Sequence, residues 1–190
     1  MLEYEKKVLL TKEEYEVLAD QCKRMAVETQ TNYYFDTDDF YMNRKGITCR
    51  VRVKNGKYKT TIKNHDTQGL NCSVEENLYE GEELNVKVFG ALGMYFQGEL
   101  ITTRTILYKD DCCEIVLDRN TYLGYEDFEL EVEYIKECEE MATEFLEKTA
   151  LFLLAEDLID SVESFLLRAQ KSKSKSERFF ERKQIERSQM

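Results

Sequence analysis

The feature that most constrains this chain is its alternation of apolar and polar side chains, carried by a sequence that contains no proline. Alternation with period two marks a strand whose two faces meet different surroundings. It predicts strands at about 2–10, 30–36, 47–54, 57–64, 71–80, 100–109, 112–118 and 127–135. Asn55-Gly56 separates two of these with the residue pair that a type I′ hairpin turn favours. Helices fit about 11–26, 82–96 and 137–168. Thr11 and Glu14 form a capping box for the first. Met141, Phe145, Leu146, Phe152 and Leu153 give the third an apolar stripe, with a break expected near 154–156. Eight mostly sequential strands lose their exposed edges by closing on themselves. The expected fold class is α+β: an eight-stranded antiparallel closed β-barrel with helices packed outside.

The 190 residues suit one domain with a substantial core. There are 27 Lys and Arg against 38 Asp and Glu, a net charge of -11, and this disfavours a nucleic-acid partner. No run approaches the roughly 20 apolar residues of a membrane helix. The opening Met1-Leu2-Glu3-Tyr4-Glu5-Lys6-Lys7 is too acidic and polar for a signal peptide. Six cysteines lack any Cys-x-x-Cys pairing and are accompanied by one histidine, which argues against zinc. They read as reduced thiols in a cytoplasmic protein.

Charge is sorted along the chain. Residues 44–63 hold eight bases and no acid, whereas residues 126–140 hold eight acids and one base. Because side chains alternate across a strand, the charges also gather on single faces. Glu3, Glu5 and Lys7 share one face of the first strand. Thr48, Arg50, Arg52 and Lys54 share a face of the third, and Lys57, Lys59, Thr61 and Lys63 of the fourth. Thr102 and Arg104 follow on the sixth, Glu114 and Asp118 on the seventh, and Glu129, Glu131 and Glu133 on the eighth.

Alternation alone suits charged faces in water with apolar side chains filling the barrel. Two observations favour the reverse. The helices need apolar surface to pack on, and a barrel offers its outside. A solvated surface also gains little from sorting acids and bases by strand, since exposed pairs contribute about 0–1 kcal/mol each.

Glu3-x-Glu5-x-Lys7 resembles the ExExK signature of the CYTH superfamily, the triphosphate tunnel metalloenzymes. The resemblance continues in order. Asn32-Tyr33-Tyr34-Phe35-Asp36-Thr37 is similar to the family's second-strand segment, and Arg50-Val51-Arg52, followed by Lys59 and Lys63, to its R-x-R strand. Asp118 and the run from Tyr125 to Glu133 resemble its late acidic strand, and Lys173-Ser174-Lys175 with Arg178 its basic C-terminal segment. The resemblance implies one domain over 1–178, followed by a basic tail over 179–190.

It also implies a small-molecule triphosphate as substrate, with Mg²⁺ or Mn²⁺ as cofactor. Lys7, Arg50, Arg52, Lys63, Arg104 and Lys175 would bind substrate, with Lys59 as a further member. Glu3, Glu5, Asp118, Glu131 and Glu133 would hold metal, Glu3 and Glu5 on the side of the attacking water. Glu129 shares the face of Glu131 and Glu133, so which two of the three bind metal stays open. Two carboxylates about 4 Å apart repel by roughly 4 kcal/mol at an effective dielectric near 20, so such a cluster calls for cations. Oxygen ligands suit Mg²⁺ and Mn²⁺.

Glu75 reads either as a tunnel acid paired with a base or as a solvated strand acid. His65 reads as a surface histidine, and Tyr122 and Tyr125 as packing residues. There is no Walker loop, G-x-G-x-x-G or Gly-x-Ser-x-Gly. The expected activity is metal-dependent hydrolysis of tripolyphosphate or a small organic triphosphate. Class IV-type adenylate cyclase and a non-catalytic polyphosphate or nucleotide binder are the alternatives. The oligomeric state stays open, a homodimer through the long C-terminal helix being one option, with neither nucleic acid nor membrane expected as partner.

Overall fold

A computed structural model describes residues 2–65 and 72–189; the side chains of residues 2, 3, 72 and 171 fall outside that description. Residue 71, at the head of one expected strand, falls outside it too. Eight strands close in the order β1-β5-β4-β3-β2-β6-β7-β8, every neighbouring pair antiparallel. They are β1 (Leu2–Leu10), β2 (Ala26–Asp36), β3 (Ile47–Lys54), β4 (Lys57–His65), β5 (Cys72–Gly81), β6 (Tyr95–Lys109), β7 (Cys113–Tyr122) and β8 (Tyr125–Tyr134). The helices are α1 (Lys12–Gln21), α2 (Tyr41–Arg44), α3 (Lys87–Ala91), α4 (Glu139–Ala155), α5 (Val162–Lys171) and α6 (Lys175–Ser188).

The expected hairpin turn is present, with Asn55 and Gly56 at φ of 51° and 74°. The Asp110-Asp111 pair, expected as a weaker turn of the same kind, has no positive φ, and such a turn forms instead at a place where none was expected. Leu123 and Gly124, at φ of 48° and 72°, carry β7 on to Tyr122 and start β8 at Tyr125. The capping box at Thr11 and Glu14 also forms, but α1 ends at Gln21 and the chain is extended again from Ala26.

Two helix assignments need correction. The helix expected over 82–96 is only α3: Gly93, at φ 69°, turns the chain into the strand that begins at Tyr95. The helix expected over 137–168 begins as a 3-10 turn, Lys136–Cys138, and it breaks where expected, with α4 ending at Ala155 and α5 starting only at Val162. Asp157, at φ 57°, closes the end of α4, and the Ser161 hydroxyl accepts from the Ser164 N–H to start α5. The expected boundary between residues 178 and 179 falls inside α6, where Phe179 and Phe180 are buried.

The apolar faces of the strands point outward. Val8, Ile115, Leu117, Leu130 and Val132 pack under Ala142, Leu146, Ala150 and Leu153 of α4 and Phe165 of α5. Each large side chain so buried is worth about 1.5–3 kcal/mol. Phe35, Cys49 and Val51 do the same under Phe89 of α3 and Met94. With the helices claiming the outside, the charged faces are left to line the lumen. Near the C-terminal ends of β1, β2, β4 and β7 the lumen is filled by α6, whose Phe179 and Phe180 pack with Tyr34, Phe40, Leu100 and Tyr122.

Candidate active site

A cavity of about 140 Å³ occupies the middle of the barrel. Glu5, Lys7, Arg50, Arg52, Lys59, Lys63, Arg104, Glu131, Glu133 and Lys175 line it. Strand pairing explains the arrangement. Arg52 lies opposite Lys59, Thr48 opposite Lys63, Arg104 opposite Asp118, Glu5 opposite Glu133, and Lys7 opposite Glu131. Of the expected residues, Glu3 has only its backbone described, opposite Ser73, and its side chain lies outside the described residues. Asp118 is fully buried beside the cavity and does not line it.

The carboxylates form two groups. Oxygens of Glu5, Glu131 and Glu133 lie within 4.8 Å of one another, as do those of Asp118, Glu129 and Glu131. The second group is neutralised from within. Arg104 Nε and Nη2 donate to Asp118 at 2.9 and 2.7 Å, and Nη2 also reaches Glu131 at 2.8 Å. Lys175 Nζ lies 3.0 Å from Asp118 and 3.1 Å from Glu131, and also pairs with Glu129. Arg178 Nη2 sits 2.9 Å from Glu129, which is held by these ion pairs rather than by well-directed hydrogen bonds. Burial alone would lower the pKa values of Arg104, Lys175 and Arg178, but their carboxylate partners raise all three.

The first group is less fully compensated. Lys7 Nζ contacts Glu5 at 2.7 Å and Glu131 at 3.6 Å. Burial works to raise the pKa of Glu131, but Lys175, Lys7 and Arg104 hold it well below the usual carboxylate range. Glu133 is pushed up by burial and then by the adjacent Glu131. Three convergent carboxylates, one of them resisting ionisation beside another, fit a divalent cation with oxygen preference.

The basic side is organised by Glu75, opposite Lys63 on β5. Its carboxylate accepts from Arg50 Nη2 at 2.6 Å and Lys59 Nζ at 3.0 Å. Burial opposes its ionisation, yet these cations lower its pKa to about 2. Arg52 is different. Its Nε donates to Asn32 Oδ1 at 3.0 Å, and among the described residues no carboxylate pairs with it. Burial, then Arg50 and Arg104, lower its pKa to about 10. The site thus holds a half-buried guanidinium that has no carboxylate in ion-pairing contact among the described residues.

His65, expected at the surface, instead lines the cavity, where burial and then Lys63 and Lys7 lower its pKa to about 4. Its Nε2 lies 2.8 Å from Thr48 Oγ1, which is 2.6 Å from Ser176 Oγ, itself 3.1 Å from Ser174 Oγ. His65 has the same strand parity as Lys59, Thr61 and Lys63, so parity carried the signal. Ser174-Lys175-Ser176-Glu177 is itself a capping box, which marks the start of α6 and places Lys175 at its first turn. Tyr34 was also missed: it is fully buried, lines the cavity, and its hydroxyl has no hydrogen-bond partner among the described residues.

A closed antiparallel barrel with an acid-and-base lumen defines a class of protein, and the comparisons agree on which. The CYTH domain model matches residues 1–161, and the chain belongs to this family. It is 33% identical over 148 residues to YjbK of Bacillus subtilis (strain 168), named as a candidate triphosphatase; the match spans 70% of this chain and 77% of that one. A candidate adenylate cyclase from Bacillus halodurans superposes with a TM-score of 0.67 at 25% identity, over 94% of this chain and 97% of the other. HpAC1 from Hippeastrum, described as having a dominant triphosphatase activity, shares the fold at 16% identity. Its TM-score is 0.56, over 78% of this chain and 87% of that one.

Proposed function

We propose that this chain hydrolyses inorganic tripolyphosphate or a small organic triphosphate inside the barrel, with Mg²⁺ or Mn²⁺. The observation that carries the reading is Arg52, which lines the cavity beside Arg50 and Arg104 and, among the described residues, has no carboxylate in ion-pairing contact. A polyanion supplies the missing charge, and the planar guanidinium suits phosphate oxygens. The names of YjbK and HpAC1 support the same activity.

Arg50, Arg52, Lys59, Lys63 and Lys7 bind the phosphate chain, with Glu75 fixing the heads of Arg50 and Lys59. Glu5, Glu131 and Glu133 would hold the cation. The chemistry a divalent cation supplies there is polarisation of phosphate oxygens and a lowered pKa for bound water. Asp118 and Glu129 orient Arg104, Lys175 and Arg178. Water adds in line to the terminal phosphorus, the bond to the bridging oxygen breaks, and orthophosphate and the shortened chain leave. We place the reaction in the cytoplasm, a setting that suits the free thiols at Cys22, Cys49, Cys112, Cys113 and Cys138.

A panel of tripolyphosphate and organic triphosphates with Mg²⁺ or Mn²⁺ tests this, reading orthophosphate, pyrophosphate and cyclic nucleotide together. Orthophosphate release that is lost in Glu5→Gln and Arg52→Ala is expected; full activity in both variants would overturn the site. The Bacillus halodurans neighbour supports a second reading, adenylate cyclase, for which pyrophosphate and cyclic AMP from ATP are the signature. Tight metal-dependent binding without turnover would favour a binding module instead.

A further inference from the structure

Four side chains from three parts of the chain join into one string along the wall of the cavity. His65 ends β4, Thr48 lies near the start of β3, and Ser174 and Ser176 stand at the start of α6. Strand pairing sets the first two side by side. Thr48 lies opposite Lys63, and His65 follows two residues later on the same face. His65 Nε2 is 2.8 Å from Thr48 Oγ1, which is 2.6 Å from Ser176 Oγ, itself 3.1 Å from Ser174 Oγ. The Glu177 N–H donates to Ser174 Oγ at 3.3 Å. Thr48, Ser174 and Ser176 are all buried, and all four side chains line the cavity.

A count of protons gives the string a direction. It has three links, and each link uses one proton. The three hydroxyls bring three protons, and the imidazole brings a fourth only when that proton sits on Nε2. With the imidazole proton on Nδ1, Thr48 donates to Nε2, Ser176 to Thr48 and Ser174 to Ser176, and nothing is left over. With it on Nε2, the order reverses: His65 donates to Thr48, Thr48 to Ser176 and Ser176 to Ser174. The Ser174 proton is then spare, on a side chain that lines the cavity. Burial and then Lys63 and Lys7 hold the imidazole neutral near neutral pH, so it carries one ring proton and must be in one form or the other.

We propose that a phosphate group of a polyphosphate bound in the cavity takes this spare donor from Ser174, with His65 as the positioning residue that turns the string towards it. The inference rests on the reading of the cavity as a polyphosphate site. An ionised phosphate oxygen only accepts, so of the two forms only the one with Nε2 protonated meets it with a donor. The lysines and arginines supply charge in either form. The string adds a directed hydrogen bond without adding charge, and Thr48 and Ser176 carry the choice from His65 to Ser174.

The chain has one histidine, so its two ring nitrogens can be read in a spectrum without ambiguity. The full, untagged chain is labelled with nitrogen-15 and saturated with sodium tripolyphosphate in EDTA near neutral pH, which holds back metal-dependent turnover. The bound protein should carry the imidazole proton on Nε2; a proton on Nδ1 would overturn the inference. Calorimetry with the same ligand supplies the second readout. The Kd should rise roughly 10-fold in His65→Leu, the loss of one hydrogen bond to a charged acceptor. Thr48→Val and the double variant should lose about as much as the single one, because either change cuts the same string. His65→Gln, whose amide can still donate to Thr48, should bind within about 2-fold of the parent. A His65→Leu protein that binds like the parent, a His65→Gln protein as weak as His65→Leu, additive losses, or a parent that binds no tripolyphosphate in EDTA would each overturn the inference. Hydrolysis by the parent with Mg²⁺ is measured apart. Binding with the expected tautomer but no turnover would sink the hydrolysis reading alone, and turnover with unweakened binding in His65→Leu would sink the string alone.

Discussion

Gly98 on β6 faces the ring of Phe179 on α6 with no room for a methyl group between them. A Cβ at Gly98 would lie 2.8 Å from Phe179 Cζ, and the glycine sits at φ +145°, where other residues are strained. It lies opposite Tyr34, beside a bulge in the β2–β6 pairing. The close approach lets α6 seat its aromatic pair inside the barrel.

Gly98→Ala should therefore loosen α6, at a cost of about 2 kcal/mol from strain and overpacking. Thermal unfolding and proteolysis of the C-terminal segment read it out. Combining it with Phe179→Leu should recover part of the loss. Equal losses in the single and double variants would show that the ring contact is not the cause.

Arg52→Ala should separate stability from activity. Burial and repulsion from Arg50 and Arg104 outweigh the attraction of Glu75 and Glu133 at this half-buried guanidinium, so removing it should leave the midpoint of unfolding unchanged or higher. The kcat/KM for tripolyphosphate should fall by roughly 100-fold, the loss of about 3 kcal/mol of charge-assisted hydrogen bonding. A strongly destabilised variant would mean that Arg52 has a structural counter-charge instead.

The two carboxylate groups should respond in opposite ways. Glu5→Gln should weaken Mn²⁺ binding, measured by calorimetry, with little loss of fold stability. Asp118→Asn removes a buried partner of Arg104 and Lys175 and should cost about 3–5 kcal/mol. Its Mn²⁺ affinity should stay within a few-fold of the parent. An Asp118→Asn protein that is stable but has lost Mn²⁺ would put the cation in the other group.

His65 gives a pH dependence with a definite sign. Its folded pKa, about 4, lies below the ordinary 6.5, so the unfolded chain binds the extra proton first. Stability is therefore full above pH 6.5 and falls as the pH drops towards 4, by at most about 3 kcal/mol. Denaturant titrations of the parent and His65→Gln should diverge only in that window. Parallel curves would show that His65 reaches solvent.

Particular residues show how far the sequence could be read. Arg50, Arg52, Lys59 and Lys63 could be placed on one surface because strand parity is local, and parity holds wherever pairing is regular. Whether that surface was inside could not come from parity. It depended on α3, α4 and α5 covering the opposite face, a tertiary fact. The partners of Asp118 and Glu129 were illegible for a related reason. Lys175 and Arg178 lie more than forty residues away in sequence, and only the entry of α6 into the barrel brings them within ion-pairing distance. The ends of β7 and β8 were missed because Leu123 is an unusual occupant of a left-handed turn position.

The seating of α6 also sets the traffic. Among the described residues α6 stoppers one end of the sleeve, so a guest that comes in by the other end leaves by the way it came. A linear anion longer than the chamber can present only its terminus to the carboxylates, with the remainder trailing outside. If the proposed hydrolysis holds, such a channel would trim from the tip, one unit per visit, and turn away a chain capped at both ends.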